Sequence, residues 1–444
     1  MTDKNRKLRL GAFLLSIGHH IGAWRHPDVE PRDVFRLEHF KSLARLAERA
    51  KFDVIFFADN VGLPDVPPEL LAKGPQVYNF DPLILQSILS QETQRIGLVA
   101  TVSTTYLPPY HLARKFATLD HFSNGRAAWN LVTSATRFEA QNFGLGEQLA
   151  HADRYDRARE YVQVVRALWD SWEDDAFLFD KQGNRFFDPA KLHTPAHRAK
   201  HFSVRGPLQT GRPPQGYPVL VQAGSSEDGQ ALAAETAEVV FTAQQTFAEA
   251  KAFYDGLKSR LAQFGRDPSQ LLVLPGVQPI IGRTEEEAKE KFALLQSLVD
   301  PEIGVGLLST FLNFDLSAFP IDGPLPDLPF TEGWQSRRQL FVDLARRKNL
   351  SIRELYLEIA GGRGHRTILG TPQSIADQLE EWFVGGAADG FNILAPTLPK
   401  GLEDFSEFVI PDLQRRGLFR TEYEGRTLRE NLGLARPVNQ FAAS

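Results

Sequence analysis

Two spacings of apolar residues alternate along this chain. Largely apolar runs of about six to eleven residues read as strands buried on both faces. Longer stretches with apolar residues every third or fourth position read as helices with one buried side. Strands are predicted at 8–15 (LRLGAFLL), 52–58 (FDVIFFA), 96–104, 125–133, 218–224 (PVLVQAG), 238–243, 271–281 and 390–396 (GFNILAP). Helices are predicted at 34–51, 81–93, 109–122, 153–172, 225–237, 247–265, 284–299 and 371–386. In 153–172 the buried side is marked by Ala158, Tyr161, Val162, Val165, Leu168 and Trp169. Asp81-Pro82 opens one helix, and Thr371-Pro372 supplies a cap and a first-turn proline for another.

Eight buried strands separated by helices imply a parallel sheet, and the count suggests an α/β fold of the (β/α)8 TIM-barrel type. An open doubly wound sheet is the alternative. A plain barrel needs about 250 residues. The rest of this 444-residue chain is placed in insertions after helix 4 (173–217) and between strands 7 and 8 (300–365), and in a C-terminal arm (403–444). The second insertion contains FPIDGPLPDLPF, and 300–345 is expected to fold over the barrel mouth as a lid. No repeat or linker divides the chain, so 1–444 is read as one domain.

Composition narrows the function. A net charge of −5 argues against nucleic acid and against anionic membranes as partners. With no cysteine, disulfides, thiolate zinc sites and cysteine nucleophiles are excluded. The opening MTDKNRKLRLGAF does not read as a secretory signal, and no apolar run reaches membrane-spanning length, so a cytoplasmic protein is expected. Thirty-two Phe and six Trp against one Met suggest a stiff aromatic interior, either an ordinary core or one surrounding a flat ligand.

In such a barrel the chemistry collects where strands run into the following loops. Those ends carry SIGHHIGAWRHP, FADN with Asp59, ATVSTTY with Thr101, WNLVTS with Ser134, and QAGSSEDG with Ser225 and Ser226. In the last, Gly224 permits a close turn, and the serines open a helix whose N-terminus attracts anions, phosphate above all. The alternative is a plain serine cap. His151 and Tyr155, four apart, share one helix face and can both donate to a phosphate oxygen; alternatively this is a surface turn capped by Asp153. His19, His20 and His26 lack zinc-ligand spacing and no HExxH occurs, so no metal is expected. There is no Walker A loop and no GxSxG elbow. GGRGH (361–365) resembles part of a dinucleotide loop but follows no predicted strand.

Longer stretches are more specific. GAFLLSIGHHIGAWRHP, FDVIFFADNVG, STTYLPPYHLARKFATLDHFSNGRAAWNLVTS, HADRYDRAREYVQVVRALWDSWEDDA, VQAGSSEDG, GTPQSIADQL, DGFNILAP and VIPDLQRRGLFRTEYEG resemble the bacterial-luciferase-like flavin monooxygenases. The branch is that of nitrilotriacetate, EDTA, dibenzothiophene-sulfone and long-chain-alkane monooxygenases, and the match runs from about residue 8 to 430. The resemblance implies a TIM barrel that takes FMNH2 from a separate NAD(P)H:flavin reductase and uses O2 to oxygenate a small organic substrate of organosulfur, amine or hydrocarbon type. It assigns flavin binding to Asp59, Thr101, His151, Tyr155 and Ser225, with Ser134 and Ser226 beside them. The phosphate would then lie by strand 5 rather than strands 7–8. His19, then His20, are the candidates for catalysis, since a histidine titrating near neutrality suits acid–base work. Trp24 and Arg25 are read as packing and a structural ion pair. A homodimer or homotetramer is implied. The competing readings are a deazaflavin-dependent dehydrogenase and a catalytically silent flavin-binding protein. The apolar and aromatic content of 300–345, with VGLLSTFLNFDLSAFPIDGPLPDLPF in it, favours an apolar or sulfur-containing substrate over a polyanion.

Overall fold

A computed structural model describes residues 6–64, 66–330 and 335–442. Its centre is a closed barrel of parallel strands: β1 (Arg9–Phe13), β2 (Val54–Phe57), β3 (Gly97–Ser103), β4 (Ala127–Val132), β5 (Val219–Gln222), β6 (Val239–Thr242), β7 (Leu272–Ile281) and β8 (Gly390–Leu394). Each pairs with the next, and β8 returns to β1 with Arg9 opposite Gly390. All eight predicted strands are present. The helices between them are α1 (Leu37–Arg49), α2 (Pro82–Leu89), α3 (Pro109–Phe122), α4 (His151–Trp169), α5 (Glu227–Thr236), α6 (Phe247–Arg260), α7 (Glu285–Ser297) and α8 (Pro372–Val384).

Burial on both faces explains the strand sequences. In β2, Val54 and Phe56 join Val99, Ala128, Val221, Val239 and Phe241 inside the barrel. Ile55 and Phe57 join the core between strands and helices. The C-terminal arm plugs one end: Leu428, Leu432 and Leu434 enter the interior cluster. Arg420 pairs there with Asp53, beside the start of β2, and Arg429 with Glu238, beside the start of β6. Only the opposite end, where the strands finish, is left for a ligand.

Two features differ from the sequence expectation. A further strand, Arg366–Gly370, pairs with the last half of β7, from Val277 opposite Arg366 to Ile281 opposite Gly370. β7 is ten residues long, about twice most of its neighbours, and the extra strand covers its overhanging end. The 300–365 insertion is largely helical rather than an irregular lid, with helices Pro301–Leu312, Gln335–Lys348 and Ile352–Ile359 around a core of their own that includes Leu308, Leu312, Phe341, Leu355 and Tyr356. Residues 331–334 of that stretch lie outside the described residues. The 173–217 insertion forms two small antiparallel hairpins. Among the described residues, no single helix is long and apolar enough to cross a membrane.

Candidate functional site

A cavity of about 490 Å³ opens where the barrel strands end, within the usual range for small-molecule sites. Asp59, Thr101, Ser134, His151, Tyr155, Ser225 and Ser226 all line it. His19 and His20 do not, and they occupy buried positions elsewhere.

One end of the cavity is built from two helix N-termini. Ser226 caps α5, its Oγ accepting from the Gly229 N–H at 3.2 Å. Ser225 therefore lies just outside the helix and is not the cap. Its hydroxyl faces Thr242 Oγ1 at 3.4 Å, and its carbonyl accepts from Gln230 Nε2 at 2.9 Å. Gly224 allows a close approach: a Cβ there would stand 3.0 Å from Gly229 Cα and 3.4 Å from the Tyr155 hydroxyl. α4 begins at His151 itself with Ala150 before it and no side-chain cap; Asp153 falls in the first turn, so the capping alternative for Asp153 does not hold. His151 Nδ1 lies 3.0 Å from Asp228 Oδ2, and its ring lies 4.8 Å from that of Tyr155. Both helices aim unpaired N–H groups and positive dipole ends at this corner, an arrangement suited to an anion. Arg154, one turn into α4, also lines the cavity and donates to the Ser134 carbonyl.

Deeper in, polar side chains are left half satisfied. Thr101 donates to the Phe57 carbonyl at 2.8 Å and accepts from Asn130 Nδ2 at 2.9 Å, so its hydroxyl is committed. The remaining oxygen of Asn130 has no partner among the described residues, and neither does Oε1 of Gln222 or Oδ1 of Asn392. Three buried amide acceptors on one cavity call for donors from a ligand. Phe13, Phe56 and Phe241 form a tilted aromatic row beside them, with ring centroids 4.5 and 4.8 Å apart.

Asp59 sits at the rim, accepting from Asn79 Nδ2 at 3.2 Å. Burial, with the nearby Asp81 charge adding to it, pushes its carboxyl up to about 7. The unfolded chain releases that proton at about 4. The folded state thus holds an extra proton between these values, and stability falls as pH rises from about 4 to about 7, then levels off. Asp59→Asn cannot ionise. It should flatten that part of a melting-temperature profile and stabilise the protein at pH 8 by about 1 kcal/mol, given the partial solvent access of the site. An unchanged profile would show that Asp59 ionises normally.

The histidine-rich loop after β1 spreads its side chains apart. His19 packs edge-on against Phe13 at 4.4 Å, with Nε2 3.0 Å from the Phe13 carbonyl and Nδ1 without a partner among the described residues. Burial and the Arg363 charge push it down to about 3, and His20 likewise. Both rings are neutral at working pH, so neither titrates near neutrality as their sequence reading required. His20 Nδ1 accepts from Gly22 N–H, and His26 Nδ1 from Asp28 N–H. Arg25 donates to the Leu298 carbonyl at 2.8 Å rather than pairing with an acid.

Besides His151, the imidazole on the cavity wall is His365, together with Arg337 from the insertion. Sequence reasoning missed both, along with Gln222 and Asn392. The last two carried a signal, a lone amide inside an otherwise apolar strand. Arg337 carried none, because its place depends on how the insertion folds back.

The model of the luciferase-like monooxygenase family matches residues 12–389. The chain is 49% identical to N-acetyl-S-(2-succino)cysteine monooxygenase of Bacillus subtilis (strain 168), with 100% of each chain covered. It is 50% identical to nitrilotriacetate monooxygenase component A of Aminobacter aminovorans, with 99% of each covered. A solved structure of riboflavin lyase with modified FMN and riboflavin superposes with a TM-score of 0.87 at 33% identity, covering 96% of each chain.

Proposed function

Since the chain belongs to the luciferase-like monooxygenase family and is a flavin-dependent monooxygenase, we propose that it is the oxygenating half of a two-component system that receives FMNH2 from a separate NAD(P)H:flavin reductase. The observation that carries the FMN assignment is the polarity of the cavity. At one end two helix N-termini converge with His151, Tyr155 and Ser225. At the other, three amide oxygens lack donors beside an aromatic row. A molecule with a phosphate at one end and a flat, N–H-bearing ring at the other answers both demands.

In this reading His151, Tyr155, Ser225 and the free N–H groups beyond Ser226 hold the phosphate. Asn130, Gln222 and Asn392 accept from the ring system and the hydroxyl chain, with Thr101 fixing the Asn130 amide. Ser134 and Asp59 border the same cavity. When bound, reduced FMN supplies the electrons by which one oxygen atom of O2 enters the substrate and the other leaves as water. The protein's part is to orient substrate and keep bulk water out with Phe13, Phe56 and Phe241. His19 and His20, neutral and enclosed, act by holding the β1 wall in place, whereas His365 is the imidazole in reach of substrate. A small organic molecule with a sulfur, amine or hydrocarbon reaction centre is the substrate, and the protein works as a cytoplasmic homodimer or homotetramer.

The reductase is separate because this chain offers no nicotinamide loop of the usual kind. GGRGH leads into the strand Arg366–Gly370 instead of leaving a strand for a helix, the reverse of a dinucleotide-binding turn. The purified protein with FMN, NADH and O2 should therefore consume no NADH above background. Adding an unrelated flavin reductase should start oxygen transfer to thioether and tertiary-amine test compounds, read as a 16-dalton gain or a cleaved C–S or C–N bond. Rapid NADH consumption without the reductase would sink the two-component reading.

A further inference from the structure

The glycine-rich turn GGRGH finds its use at the cavity wall supplied by the insertion. Arg337 lines that wall and donates through Nη1 to the Arg363 carbonyl at 2.7 Å. Arg363 has φ +49° and Gly364 φ +89°, both left-handed. A Cβ on Gly364 would stand 2.8 Å from Arg337 Nη1, so the glycine lets the guanidinium lie on the turn. His365 follows directly and lines the cavity.

Among the described residues neither arginine has a counter-charge. Among the described residues the one charge acting on Arg337 is Arg363, no carboxylate acts on Arg363, and Arg363 Nε has no hydrogen-bond partner. Burial lowers both to about 10, and their field helps to hold His19, His20 and His365 neutral. Two half-buried guanidinium groups with no acid beside them among the described residues are costly. The arrangement becomes favourable when a ligand brings the anion, and the arginine fork matches a carboxylate.

We propose that Arg337, backed by Arg363, is the site for a substrate carboxylate, so that the substrate of this enzyme is a small organic acid. The proposal rests on the flavin reading only in assigning the cavity's other end to the phosphate. It departs from the sequence expectation, which favoured an apolar or sulfur-containing substrate over a polyanion. Most apolar residues behind that expectation, such as Leu307, Leu308 and Leu312, are spent on the insertion's own core, leaving Phe311 to join Leu340 at the cavity beside Arg337.

The probe is 2,2′-thiodiacetate, two carboxylates around a thioether, compared with its uncharged dimethyl ester by calorimetry. FMN and riboflavin affinities are measured in parallel by fluorescence quenching. The diacid should bind at least tenfold more tightly than the diester. Arg337→Gln should abolish that preference while leaving FMN affinity within twofold, and Arg337→Lys, which keeps the charge, should retain most of it. Equal binding of acid and ester to the unmodified protein overturns the proposal, as does an acid preference that survives Arg337→Gln. A loss of FMN but not riboflavin binding in Arg337→Gln also overturns it, by making Arg337 a phosphate ligand. If the protein binds no FMN yet retains an Arg337-dependent acid preference, the flavin reading fails and the carboxylate site stands.

Discussion

Ser225→Asp is expected to cost the protein about thirtyfold in FMN affinity while leaving riboflavin binding and the melting temperature nearly unchanged. The helix should tolerate the change. Ser226 remains the cap of α5, its Oγ accepting from the Gly229 N–H, and Ser225 stands one residue outside. A carboxylate there faces the positive end of the helix dipole, as Glu227 and Asp228 already do. A phosphate in the same corner would meet a second negative charge at about 4 Å, where repulsion reaches roughly 4 kcal/mol at an effective dielectric near 20. Half of that, after side-chain adjustment, is about 2 kcal/mol, or some thirtyfold. Riboflavin has no phosphate and provides the control. Equal losses for the two ligands, or none for either, would place the phosphate elsewhere.

The second large effect is at the other end of the barrel. Arg429→Met should destabilise the fold by about 3–5 kcal/mol, because it strands a buried carboxylate. The Arg429 side chain is 2% exposed and pairs with both oxygens of Glu238. It also donates to the carbonyls of Ala435 at 3.0 Å and Tyr217 at 3.1 Å, tying the C-terminal arm to the barrel floor. Burial alone would raise the Glu238 carboxyl, but Arg429 overrides this and holds it below the ordinary range. The pair therefore contributes stability above the unfolded carboxylate range that is lost as pH falls through the depressed folded value. That acid dependence should vanish in Arg429→Met, and adding Glu238→Gln should restore part of the melting temperature. FMN affinity of the folded variant should stay within twofold, since the arm and the cavity occupy opposite ends. A variant as stable as the parent would show that the arm is held by its leucines alone.

Much of this was legible in the sequence. All eight barrel strands stand out because burial on both faces removes polar residues from them, as in FDVIFFA and PVLVQAG. The strand Arg366–Gly370 was not visible, since only two of its five residues are buried and no period-two or continuous apolar pattern survives. The insertion helix Pro301–Leu312 hid for the opposite reason: its apolar residues run nearly all round it, one side entering the insertion's core and Phe311 reaching the cavity. The seven residues that the resemblance assigns to flavin all line one cavity, because strand ends and helix starts, where they stand in the sequence, converge at the barrel mouth.

By itself the sequence determined the barrel, the direction of its mouth and the polar residues that meet at one corner of the cavity. Each of these follows from local periodicity and from the rule that parallel strands end on one side. Only the tertiary structure decided what the other residues do. A histidine in a loop has no periodicity to say whether it faces ligand or core, and His19 and His20 turned inward, where burial keeps them neutral. Arg337 and His365 reach the cavity only because distant segments pack against β7 and against each other. Contacts of that range depend on the shape of surfaces that exist only after the barrel has closed, so no spacing along the chain could announce them.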